Sequence, residues 1–71
     1  MILHFKIVRD YDFGEDGVYV TMYDAQGNIV LEGDWYHNQI DSKIEGFFEC
    51  LKYMGVNYEY TSENINEEED E

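Results

Sequence analysis

Ser42-Lys43-Ile44-Glu45-Gly46-Phe47-Phe48-Glu49-Cys50-Leu51-Lys52-Tyr53-Met54-Gly55 is the stretch that decides the fold. Ile44, Phe47, Phe48, Leu51 and Met54 recur at i, i+3, i+4, i+7 and i+10, one continuous apolar stripe on an α-helix. Ser42-x-x-Glu45 has the form of a capping box, in which the serine hydroxyl accepts a hydrogen bond from a first-turn N–H and the glutamate reaches back. Gly55 supplies a left-handed stop. Gly46 costs about 1 kcal/mol against alanine in mid-helix, a cost that close approach to a sheet would explain. Cys50, within the apolar pattern, reads as a small buried hydrophobe.

On both sides of this helix the period changes from 3.6 to 2. In Met1–Asp10, Leu3, Phe5 and Ile7 alternate with His4, Lys6 and Val8, the mark of a strand with one face in a core. Val18, Val20 and Met22 alternate with Tyr19, Thr21 and Tyr23 in a second strand. Ile29, Leu31, Gly33 and Trp35 alternate with Val30, Glu32, Asp34 and Tyr36 in a third. Asp24–Asn28 between these two is a turn with Gly27-Asn28 at its tip, suited to positive φ, so the two strands form an antiparallel hairpin. After the helix, Val56–Thr61 alternates again as a short fourth strand. The expectation is an α+β fold: a small antiparallel β-sheet in the order β-β-β-α-β, with one helix packed on one face.

Seventy-one residues make one domain at most, and a small one buries a limited share of its surface. The aromatic side chains, seven of them tyrosine, carry enough area to make a core feasible. Residues 1–61 read as the single compact domain and residues 62–71 as a disordered acidic tail, too poor in apolar area to order itself. The apolar positions exceed what one thin layer covers and the strands offer a pairing edge, so a homodimer is expected. One cysteine excludes an internal disulfide and argues against a four-ligand zinc site. Nothing at the start reads as a signal peptide, and no run approaches the roughly 20 apolar residues of a membrane span. The expected setting is the cytoplasm, that of the host cell if the chain is viral.

No catalytic constellation is present. His4 and His37 lack an obvious partner for acid–base work, so the chain reads as a non-enzyme without cofactor or metal. Asp10-x-Asp12-x-Gly14-x-Asp16 has some carboxylates of a calcium loop but neither its final glutamate nor the flanking helices.

Charge carries the functional reading. Seventeen acids face four bases, for a net charge of −13. The last ten residues hold six acids and no base, which leaves −7 on residues 1–61. Such a body repels a polyanion, so direct nucleic-acid binding is disfavoured. The acids themselves become the motif. Glu32 and Asp34 share a strand face about 6.7 Å apart, on the scale of successive phosphates along a DNA strand. Asp10, Asp12, Glu15 and Asp16 cluster at one sheet edge, and Asp41, Glu45 and Glu49 stand at i, i+4 and i+8 on the helix. Tyrosines, Tyr36 among them, are interleaved with these acids, as at binding surfaces.

On these residues and the Glu67–Glu71 tail, the chain resembles the small, acidic, phage-encoded DNA-mimic inhibitors of host proteins. Its size and layout are similar to those of the Bacillus phage inhibitor of the nucleoid protein HU, a small dimer, and of the phage inhibitors of uracil-DNA glycosylase. The resemblance implies occupation of the DNA-binding surface of a basic host protein, HU foremost. Contacts are expected from Asp10, Asp12, Glu15, Asp16, Glu32, Asp34, Tyr36, Asp41, Glu45 and Glu49. The alternatives are a DNA-acting enzyme as target (a glycosylase, with Phe13 as a plug, or a CRISPR effector) and an acidic structural or assembly subunit.

Overall fold

A computed structural model describes residues 1–11, 17–35 and 39–66. Its elements are β1 (Ile2–Asp10), β2 (Tyr19–Asp24), β3 (Ile29–Asp34), α1 (Ile40–Tyr53) and β4 (Asn57–Ile65). The strands form one sheet in the order β3-β2-β1-β4, with α1 on one face. The α+β layout and element order are as the sequence predicts.

The sheet is mixed. β1–β2 and β2–β3 are antiparallel, but β4 runs parallel to β1, with Ile2 opposite Asn57 and Asp10 opposite Ile65. The reason is the helix: it returns the chain to the end of the sheet where β1 begins, so β4 starts beside Ile2. β4 also outruns its expected end. Ser62–Ile65 continue the ladder opposite Ile7–Asp10, so the expected boundary after Thr61 falls inside a strand; residues 67–71 lie outside the described residues.

Register separates the two faces. Phe5, Ile7 and Arg9 share a face with Met22 and Val20 across β2 and with Tyr60, Ser62 and Asn64 across β4. This is the face under the helix, and its core is Phe5, Ile7, Val20, Met22, Ile40, Ile44 and Phe48. A register shift at Met22/Tyr23 lets the consecutive residues Val30 and Leu31 both pack against that core, as a β-bulge allows. Phe48 stacks on Tyr58 and Tyr60 at centroid distances of 4.5 and 5.1 Å, and Phe5 meets Phe47 edge-on at 5.5 Å.

The helix departs from expectation at its start. It begins at Ile40, two residues before the proposed capping serine, and Gln39 occupies the cap position at φ 50° without a side-chain capping bond. Ser42 lies inside the first turn and its N–H donates to the Gln39 carbonyl at 3.0 Å. Ile40 explains the shift: it precedes Ile44 by one turn, extends the stripe and is fully buried, and that burial outweighs a surface cap. The C-terminal stop holds. Gly55 sits at φ 76°, its N–H donates to Lys52 and that of Val56 to Leu51, the pairing of a Schellman motif. Met54 caps the end and is 66% exposed, so the buried stripe ends at Leu51. Gly46 and Cys50 face outward; at about 100° per residue both fall well off the stripe. A Cβ on Gly46 would meet nothing within 4 Å, so no close approach requires it, and Cys50 is an exposed thiol.

The β2–β3 turn is built as the sequence predicts, with Gly27 at φ 89°. Asp24 organises it: one carboxylate oxygen accepts the N–H groups of Gln26 and Asn28, both at 2.9 Å, and the other accepts Asn28 Nδ2. These bonds, the Asn28 N–H foremost, hold the Asp24 carboxyl below its ordinary range.

Candidate functional site: the open face of the sheet

The face turned away from α1 follows from the same register. Glu63, Val8, Thr21 and Glu32 form one row across the four strands. Ile65, Asp10, Tyr19 and Asp34 form the next, toward the end where β1 finishes. Glu32 and Asp34 thus line one edge and Glu59 and Glu63 the other, three strand spacings or about 14 Å apart. Between them lies a floor of Val8, Thr21, Tyr19 and Tyr23, half-buried.

The basic side chains on the β1 part of this face lie against carboxylates. Lys6 Nζ pairs with Glu63 Oε1 at 3.0 Å, and His4 Nδ1 lies 3.3 Å from Glu59 Oε1. Tyr19 donates its hydroxyl to Glu32 Oε1 at 2.9 Å. That bond, then burial and the Glu32 charge, raises the phenol above its ordinary value, so Tyr19 stays protonated and fixes the carboxylate. Asp10 accepts a bond from Asn66 Nδ2 at 2.9 Å, which ties the end of β1 to the residue after β4.

The predicted site residues therefore divide. Asp10, Glu32 and Asp34 come together on the open face. Asp41 does not join them: it accepts bonds from Arg9 Nη2 at 3.2 Å and from Trp35 Nε1, while Arg9 also donates to Ser62. Asp41 is thus a clasp from the helix start to Arg9 of β1 and to Trp35 just after β3, on the other side of the sheet. Glu45 and Glu49 are exposed on the helix and cannot meet a flat partner together with Glu32 and Asp34. Asp12, Glu15, Asp16, Phe13 and Tyr36 lie outside the described residues, as does most of the calcium-like loop. Among the described residues no cluster of three or more metal-ligating side chains occurs, and no helix is long and apolar enough to cross a membrane.

Glu59 and Glu63 were not among the predicted site residues. The alternation Glu59, Thr61, Glu63 carries the signal, which is lost when Glu63 is assigned to a tail. Comparison with protein-family models, curated proteins and solved structures finds no match.

Proposed function

We propose that this chain is a DNA-mimic inhibitor, not an enzyme. It lays the open face of its sheet on the DNA-binding surface of a basic host protein in the host cytoplasm, the nucleoid protein HU being the first candidate. The observation that carries the reading is the pair of carboxylate rows, Glu32 with Asp34 and Glu59 with Glu63, flanking a floor that holds Asp10 and one cation, Lys6, paired to Glu63, on a chain of net charge −13. A groove that holds two phosphate strands would meet a similar pattern of charge. Binding would release that groove's counterions as DNA does.

Affinity for such a protein should therefore fall by about 100-fold or more between 50 and 200 mM salt, the behaviour of a ligand that replaces several phosphates. Titration calorimetry across that range measures the slope. An affinity unchanged by salt would contradict the proposal.

Two copies would extend the anionic face. Met1, Ile2 and Ile29 are exposed around the end of the sheet that holds the start of β1 and the β2–β3 turn. Homodimerisation there keeps the acidic rows clear and covers apolar surface. Light scattering at tens of micromolar should return twice the 8.5 kDa chain mass; a monomer mass would contradict the dimer.

A further inference from the structure

We propose that the outer edge of β4 is a strand-addition site for an extended segment of the basic partner, one with alternating cationic and apolar side chains. The two sheet edges differ. β3 is six residues long and its pairing is broken by the register shift; a short, bulged edge is a poor template. β4 is nine residues long, seven of them exposed, and its ladder with β1 runs unbroken from Asn57 to Ile65. Among the described residues no strand lies on its outer side. It contains no proline and no lysine, the residues that commonly block edge pairing.

Charge selects the occupant. On the open-face side β4 presents Glu59 and Glu63, with side chains 64% and 51% exposed, and it carries no cation. On the helix side it presents Tyr58 and Tyr60, whose rings lie on Phe48; Tyr60 is 54% exposed. A second copy would bring another acidic strand to this edge, and like charges facing across strands are unfavourable. A basic strand meets the opposite situation. Cations four residues apart would face Glu59 and Glu63, sharing these half-exposed carboxylates with His4 and Lys6 of β1, and apolar residues of the other parity would cover Tyr58 and Tyr60. Main-chain bonds would supply affinity and the alternating side chains specificity. The inference takes from the proposed function only the basic character of the partner.

The test uses the full chain and a nine-residue peptide with arginine at positions 3 and 7, threonine at the other odd positions and valine at the even ones. Two further peptides carry backbone N-methyl groups on the odd or on the even residues, with side chains unchanged. One N-methylated peptide should bind at least tenfold more weakly than the parent and the other nearly as well, because an added strand pairs through alternate residues only. Amide exchange by NMR should show alternate β4 residues newly protected when the parent peptide binds. Equal binding of all three peptides, or no protection in β4, overturns the inference. Protection of those amides that grows with the chain's own concentration, without peptide, also overturns it and makes a second copy the occupant. DNA displacement from the partner reads the mimicry separately, so failure of one is distinguishable from failure of the other.

Discussion

Phe48→Ala is expected to destabilise the fold by about 3–5 kcal/mol, the range for removing a buried phenylalanine. Phe48 is 8% exposed and touches the rings of Phe5, Phe47, Tyr58 and Tyr60, so it joins the helix to both strands of the parallel pair. A chain this small has little stability in reserve, and the variant should lose most or all of its cooperative melting transition. Tyr53→Ala is the control: Tyr53 is 91% exposed, and its loss should change stability by no more than about 0.5 kcal/mol. Circular dichroism melts compare the two. A Phe48→Ala protein melting within a few degrees of the parent would place the centre of the core elsewhere.

That core was legible in the sequence because its signals are local. The stripe from Ile44 to Leu51, the Gly55 stop and the Asp24–Asn28 turn each arise within a few residues, and each is found where the sequence puts it. The failures come from distant contacts. Ser42-x-x-Glu45 is a sound cap by itself, but burial of Ile40 moves the helix start past it. The parallel pairing of β4 depends on where the helix delivers the chain, which alternation does not encode. Asp41 looks like one acid of a helical row, yet Arg9, 32 positions away, claims it. The site was half legible for the same reason: Glu32 and Asp34 share a face by strand period alone, whereas Glu59 and Glu63 join them only through the register of four strands.

Reversing Glu32 and Asp34 to lysine should weaken binding to the proposed basic partner by about 100-fold or more, since each substitution would remove one favourable contact and add a repulsive one. Glu45→Lys with Glu49→Lys changes the net charge by the same amount. It alters only the helix side and should cost less than about tenfold through long-range attraction, which is screened within about 8 Å at physiological ionic strength. The pairing separates face from total charge. Because Glu32 accepts the Tyr19 hydroxyl, the melting curve of the first variant must be shown intact before its affinity is compared. Equal losses from the two pairs would mean that net charge, not the open face, drives binding.

If this protein mimics DNA as proposed, the two compete for one surface of the partner. The direct measurement is sedimentation of a preformed complex between this chain and HU, titrated with duplex DNA at fixed salt. DNA should release the chain as it binds, with no boundary containing all three components. A stable ternary species of partner, DNA and this protein would contradict mimicry and make the acidic chain an assembly subunit instead.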